Sequence, residues 1–186
     1  MNEAQGAQFI ISDVTPSPIR TPLTYLICES AHVAPLPFMA TVSELALDLS
    51  KEFPRSPRAL VGGYVHAGRM LDKCRAVIAG TADEYHYNCP LDRYFFDFTG
   101  IDHEAFKDLA ATGATDEEVG AWINEQSQVK SAEEVVQWNN KMRDMRISEM
   151  PVPLQMFLEG YIPQVIPANK QVRVWFDVYD IEEGRQ

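Results

Sequence analysis

The stretch EYHYNCPLD, from Glu84 to Asp92, brings a thiol, an imidazole and two carboxylates close together in the chain. Proline favours the first turn of a helix, so Pro90 predicts a helix whose N-cap is Cys89. A thiol there lies near unpaired backbone N–H groups and the positive end of the helix dipole, as in reactive cysteines. His86 could act as its base, and Glu84 or Asp92 could orient the imidazole. The candidate catalytic residues are therefore Cys89, His86 and Asp92.

Two other interpretations of these residues remain open. Free cysteines are commonly buried packing residues, and an aspartate in the first helical turn stabilises the helix dipole without any catalytic role. Glu84, His86 and Cys89 could also bind a metal ion with His66 as a fourth ligand, but the paired spacings typical of zinc sites are absent. We therefore predict no metal site and leave the cofactor unassigned.

A second group of residues is basic. Arg55 and Arg58 lie in the turn PRSPR, and Arg69 and Lys73 lie one turn apart on a predicted helix. If the turn folds over the helix, these cations could bind a carboxylate or a phosphate. The candidate ligand-binding residues are Arg58, Arg69, Asp72, Lys73 and Glu84. The plainer interpretation is that Arg69 and Lys73 form structural ion pairs. Their partners would then be Asp72, Glu84 and Asp92.

Seven aromatic residues lie within or near these motifs. They are Tyr64, Tyr85, Tyr87, Tyr94, Phe95, Phe96 and Phe98. Such a cluster beside polar residues could form the wall of a pocket for a small organic ligand, but more often it is simply core.

Apolar periodicity and helix caps predict a mainly α, compact single-domain fold. Three capping boxes each predict a helix start, namely Thr41 with Glu44, Thr115 with Glu118 and Ser131 with Glu134. The first box opens a helix predicted at 42–52, and further helices are predicted at 64–79, 91–98, 103–111 and 154–159. The helices that follow the second and third boxes should pack Trp122 and Trp138 against helix 64–79. The segment QVRVWFDVYDI (171–181) fits a helix or a short C-terminal strand or hairpin equally well.

Composition limits the classes of function. The chain has 186 residues, of which 46% are hydrophobic, so one globular domain is expected. A formal net charge of -11 disfavours nucleic acid and anionic membranes as partners. Three cysteines without a CxxC pair favour a reducing, cytoplasmic location. There is no apolar run long enough to span a membrane.

From residue 39 onward the chain contains uncommon motifs in a distinctive order. They are DLSKEFPRSPRALVGGYVHAGRMLDKCRAVIAGTADEYHYNCPLDRYFFDFTGIDHEAFKDLAATGATDEEVGAWI, then WNNKMR, then WFDVYDIEEGR. In these motifs the chain resembles an uncharacterised bacterial domain of unknown function, family 5069. The resemblance implies membership of a family and does not imply an activity.

Residues 1–38 differ in character from the rest. They scatter five prolines among apolar residues without a helical or strand period, and they precede the resemblance. We expect residues 1–38 to be an irregular or disordered extension and residues 39–186 to form a single helical domain. Translation from Met39 would then give the complete domain. The alternative is an arm that docks through Tyr25, Leu26 and Phe38.

Two functional classes follow. The first is a small protein that binds a small organic ligand, which could be anionic, at a site joining PRSPR, Arg69 to Lys73 and EYHYNCPLD. The second is a non-catalytic protein interaction module in which these motifs are structural. The sequence leaves open whether the protein is an enzyme, and it leaves the oligomeric state unassigned.

Overall fold

The chain forms eight α-helices and one 3₁₀ turn within residues 40–129 and 131–186, the part that a computed structural model describes. The helices are α1 (Val42–Leu45), α2 (Ala67–Ala79), α3 (Pro90–Thr99), α4 (His103–Ala111), α5 (Asp116–Gln126), α6 (Ala132–Arg143), α7 (Val152–Val165) and α8 (Trp175–Glu182), with the 3₁₀ turn at Ile147–Glu149. The predicted mainly α fold is confirmed. Within these ranges, no helix combines the length and apolar composition needed to cross a membrane. The expectation for residues 1–38 lies outside the described residues.

Capping boxes fix where α5 and α6 begin, as predicted. The Thr115 hydroxyl accepts a hydrogen bond from the Glu118 N–H (3.2 Å), and the Glu118 carboxylate accepts one from the Thr115 N–H (2.8 Å). Ser131 and Glu134 make the same reciprocal pair. Each box satisfies backbone donors that have no partner inside the helix.

The first predicted helix is much shorter than expected. The box of Thr41 and Glu44 is present, but α1 ends at Leu45. The chain then becomes extended because its backbone bonds elsewhere: the Leu49 N–H donates to the Thr81 carbonyl (2.9 Å), and the Thr81 hydroxyl donates to the Leu47 carbonyl (2.8 Å). The prediction of a helix over 42–52 was therefore wrong beyond its first turn.

Helix α2 begins three residues later than predicted. Tyr64 pairs with Val61 in an antiparallel bridge, and His66 has a left-handed backbone with φ 67°. The His66 N–H donates to the Pro57 carbonyl at 2.7 Å, so this segment is fixed to the preceding loop. At the other end Gly80 stops the helix in the left-handed conformation, as expected.

The ambiguous segment at 171–181 contains the start of α8, so the alternative of a C-terminal strand or hairpin was wrong. Asp177 decides the local structure because its carboxylate accepts hydrogen bonds from the N–H groups of Arg173 and Val174 (2.9 and 3.1 Å). That geometry caps a helix N-terminus. Trp175 and Phe176 are then buried.

Aromatic side chains form much of the core around α2. Trp138 stacks on Phe98 with ring centroids 5.1 Å apart, and Tyr64 meets Phe95 edge-on at 5.5 Å. Residues of α2, α5 and α6 share this core, including Met70, Leu71, Val119, Ile123, Trp138 and Met142. The predicted packing of these helices is thus confirmed, although Trp122 is only partly buried at the core's edge.

Gly62 and Gly120 permit a close approach of two backbones. A Cβ atom on Gly120, in α5, would lie 2.9 Å from the backbone nitrogen of Gly62 and 3.1 Å from its Cα. Both are main-chain atoms, so neither can rotate away. The two glycines therefore bring α5 against the loop before α2, and no ligand is needed to explain Gly62.

We predict that Gly120→Ala destabilises the protein by about 1–3 kcal/mol, because the added methyl forces α5 away from the loop. Gly160→Ala is the matched control. Gly160 lies within α7, and a methyl group added to it would have nothing within 4 Å, so alanine there should raise stability by about 0.5–1 kcal/mol. Urea denaturation of both variants measures the two effects, and equal effects would contradict the close-approach argument.

Candidate functional site

Helix α2 buries charge as well as apolar surface. All ten residues from 67 to 76 are buried, among them Arg69, Asp72, Lys73 and Arg75. Burying an unpaired charge is very unfavourable, so each of these side chains needs a partner. The described residues provide those partners in three clusters.

The first cluster, which we call the Arg55 cluster, joins α2 to α5. Arg55 donates from Nε and Nη2 to both oxygens of Asp72 (2.9 and 2.8 Å) and also contacts Asp116. Arg75 donates to Asp116 at 2.7 Å and to the Ala114 carbonyl at 2.7 Å. Two arginines thus meet two carboxylates.

The second cluster, the Arg69 cluster, joins α2 to α8. It consists of Arg58, Arg69, Arg185, Asp177, Asp180 and Glu183. Arg69 donates two hydrogen bonds to Glu183 (2.8 and 2.6 Å), and its guanidinium lies 4.6 Å from the centre of the Tyr179 ring. Burial opposes the charge on Arg69, but the hydrogen bonds and the charge of Glu183 outweigh burial and raise its pKa. Three arginines thus meet three carboxylates.

The third cluster, the Lys73 cluster, joins α2 to α3 and contains Cys89. The Lys73 ammonium donates to both oxygens of Asp92 (2.8 and 2.9 Å), to the Cys89 sulfur (3.2 Å) and to the His86 carbonyl (3.0 Å). His66 Nε2 lies 2.7 Å from the same carboxylate. Asp92 also accepts the Cys89 N–H at 3.2 Å, so it caps α3 as well as binding Lys73.

Asp92 is ionised and His66 is neutral in this cluster. Burial alone would raise the pKa of Asp92, but the Lys73 charge and the hydrogen bond from His66 bring it below its usual range. Burial lowers the pKa of His66, and the charges of Lys73 and Arg69 act in the same direction, while Asp92 opposes them. The neutral ring therefore donates from Nε2 to Asp92, and its Nδ1 has no partner among the described residues.

A cavity of about 280 Å³ lies between α2, α3, α7, α8 and the loop before α3, and we call it the four-helix cavity. Its apolar walls are Leu91, Phe157, Leu158 and Val178. Three tyrosines also line it, namely Tyr85, Tyr161 and Tyr179. A mostly apolar cavity with a few placed polar groups is the usual form of a small-molecule site.

Charged and reactive groups line the polar part of the four-helix cavity. They are Arg69, Lys73, Glu84, His86, Cys89, Glu182 and Glu183. Five of the sequence-predicted candidates are therefore brought together here. Arg58 and Asp72 are not, because Arg58 binds α8 and Asp72 binds Arg55. Asp92 lies behind Lys73 and does not line the cavity.

The predicted pairing of Cys89 with His86 is not what the structure shows. The His86 side chain is exposed, and the sulfur bonds to Lys73 instead. The metal alternative is not supported either, since no three His, Cys, Asp or Glu side chains are arranged to hold a metal ion within 40–129 and 131–186.

Sequence reasoning missed the contributions of α7 and α8. Tyr179, Glu182 and Glu183 are three and four residues apart, so they share a face once the segment is known to be helical. Phe157 and Tyr161 have the same spacing on α7. Helical spacing was thus the signal that could have identified these residues. The ambiguity between helix and strand at 171–181 concealed the part of that signal that comes from α8.

Comparison with known proteins assigns a family. A family model, Domain of unknown function (DUF5069), matches residues 51–185. The chain belongs to this family. No curated protein matches the sequence. All three ion-pair clusters and the whole four-helix cavity lie inside the DUF5069 domain, so they are features of the part of the chain that the family describes.

Carboxylates and tyrosines meet at one side of the cavity in this DUF5069 domain. The Tyr161 hydroxyl donates to Glu182 (2.5 Å), and the Tyr85 hydroxyl donates to Glu183 (3.0 Å). Burial and the nearby charge of Glu183 raise the pKa of Glu182, although the bond from Tyr161 opposes them. Burial and the adjacent carboxylates likewise raise the pKa of Tyr161.

We predict that His66 makes the protein sensitive to acid. Because the folded state lowers the pKa of His66, its contribution to stability is complete above the unfolded value of about 6.5 and is lost as the pH falls below it. As the pH falls from 7.5 to 5.5, the wild type should lose more free energy of unfolding than His66→Asn, which tolerates the left-handed backbone but does not titrate. Urea denaturation at both pH values measures this, and parallel losses would contradict the prediction.

We also predict that iodoacetamide labels Cys89 faster than Cys74 at neutral pH. Cys89 lines the cavity, whereas Cys74 is buried and burial raises its pKa to about 12. A buried, protonated thiol reacts slowly. Peptide mass spectrometry of the folded protein over time distinguishes the two sites. Equal, slow labelling would show that Cys89 is only a packing residue.

Proposed function

We propose that the protein binds a small organic molecule in the four-helix cavity. The observation that carries this proposal is the cavity itself, about 280 Å³ in volume, with apolar walls on α3, α7 and α8 and polar groups on α2, on the loop before α3 and at the end of α8. Its volume is near the lower end of the range for ligand sites, which suits a molecule with about ten non-hydrogen atoms.

The packing beneath the cavity supports this proposal. The Arg69 and Lys73 clusters lie at its inner surface, and each fixes a buried side chain through at least two hydrogen bonds. A site whose walls are already held in place loses little conformational entropy when a ligand binds. The cavity is therefore suited to selective binding of a small molecule.

Phe157 allows a direct test because it lines the cavity and yet is 60% exposed. We expect at least one of three probes, 2-phenylethylamine, 2-phenylethanol and phenylacetate, to bind with a Kd of about 1 mM or tighter. Phe157→Ala should weaken binding by about 2- to 10-fold, because it removes an aromatic contact. Amide chemical shifts measured during titration give both the affinity and the location.

Met156→Ala is the matched control. Met156 precedes Phe157 on α7 and is 69% exposed, but it does not line the cavity. Its replacement should leave the affinity unchanged. The proposal fails if none of the three probes produces saturable shifts around the cavity, or if both variants weaken binding equally.

A protein interaction module is the second candidate, and one observation favours it. Val152, Met156 and Phe157 on α7 are all more than half exposed. Exposed apolar side chains at helical spacing often mark contact surfaces. If none of the three probes binds in the cavity, this exposed apolar patch remains as a contact surface, and that result would favour the second candidate.

We also infer a reducing, cytoplasmic location. Cys74 and Cys89 are both free thiols, and the whole sequence contains three cysteines. Free thiols persist where glutathione and thioredoxin keep cysteines reduced.

A further inference from the structure

We propose that the ligand of the four-helix cavity carries a protonated amine, an inference that rests on the proposed binding function and specifies its chemical class. The charge that remains on the cavity after its ion pairs have formed determines which ligand it favours.

The cations of the site are already neutralised. The Arg55 cluster pairs two arginines with two carboxylates, and the Arg69 cluster pairs three with three. In the Lys73 cluster one ammonium meets the carboxylate of Asp92. Each of the three clusters is therefore electrically balanced within the described residues.

Two carboxylates of the cavity remain without a cation. Within 40–129 and 131–186, neither Glu84 nor Glu182 forms a salt bridge. Glu182 accepts a hydrogen bond from Tyr161, and its other carboxylate oxygen has no protein donor in that part of the chain. The polar side of the cavity is therefore net negative and favours a positively charged group.

The aromatic walls fit the same ligand. Phe157 and Tyr161 stack with ring centroids 5.5 Å apart, next to Glu182. Aromatic faces attract cations, and Arg69 already lies over the rings of Tyr85 and Tyr179. Phe157 and Tyr161 are thus the rings that remain for a bound ammonium, with a carboxylate beside them.

An anionic ligand fits less well, although the basic residues of the sequence suggested one. Arg69 uses both terminal nitrogens on Glu183, and Lys73 already contacts two carboxylate oxygens, a carbonyl and a sulfur. An anion would have to break these buried pairs and leave charged carboxylates without partners, which is very unfavourable.

The test compares the affinities of 2-phenylethylamine, 2-phenylethanol and phenylacetate for the full chain at pH 7.5, measured by amide chemical shifts. These probes share a phenyl group and differ mainly in charge. We expect the amine to bind about 3- to 10-fold tighter than the alcohol, since a partly buried charge pair contributes modestly, and phenylacetate to bind most weakly.

Glu182→Gln and Glu84→Gln should each weaken amine binding by about 2- to 5-fold and leave alcohol binding unchanged. In Glu182→Gln the side-chain amide oxygen would still accept the hydrogen bond from the Tyr161 hydroxyl, so the variant removes charge and keeps that contact. Glu159→Gln, on the exposed face of α7 and outside the cavity, makes the same change in net charge and should have no effect.

The outcomes separate this inference from the proposed function. If the alcohol or phenylacetate binds as tightly as the amine, or if both cavity variants retain the preference, the amine assignment is wrong while the binding site stands. If no probe binds, the binding function fails and the amine assignment fails with it.

Discussion

The structure depends on the burial of charged side chains by helix α2. Ten consecutive residues of this helix are buried, and four of them are charged. A helix with an ordinary amphipathic pattern would expose such residues. Here each charge instead requires a partner from another segment, and the positions of the PRSPR turn, α3, α5 and α8 satisfy that requirement.

These ion pairs contribute more to the specific arrangement of the helices than to the stability of the fold. Burying two charges costs desolvation energy that their attraction only partly offsets, so an apolar substitute could be equally stable. Paired charges are demanding in geometry, however. Arg69 meets Glu183 through two parallel hydrogen bonds, and Arg55 meets Asp72 in the same way. The placement of α8 that satisfies the pair of Arg69 with Glu183 also brings Val178, Tyr179 and Glu182 to the four-helix cavity.

The parts of the fold that local chemistry decides could be predicted from the sequence. The starts of α5 and α6 follow from their capping boxes, and the end of α2 follows from Gly80. The parts decided by distant partners could not. Helix α1 ends early because its chain bonds to Thr81, and α2 starts late because His66 bonds to Pro57. Periodicity contains no information about such bonds.

In the site, too, the contacts between residues close in sequence could be predicted, and the contacts with distant residues could not. Pairing of Lys73 with Asp92 was among the ion pairs expected from the sequence, since both residues lie in neighbouring motifs. Arg69 was expected to pair nearby, but its partner Glu183 lies 114 residues away. The cavity wall formed by α7 and α8 was missed for a related reason, because a segment with two possible periods does not reveal which side chains share a face.

The distance in sequence between Arg69 and Glu183 also affects how the protein can fold during synthesis. Arg58 and Arg69 emerge from the ribosome long before Asp177, Asp180 and Glu183 exist. Until then, burial of α2 would leave Arg69 without its carboxylate partner, which is unfavourable. The native ion pair between α2 and the end of α8 therefore forms only after residue 183 has been added.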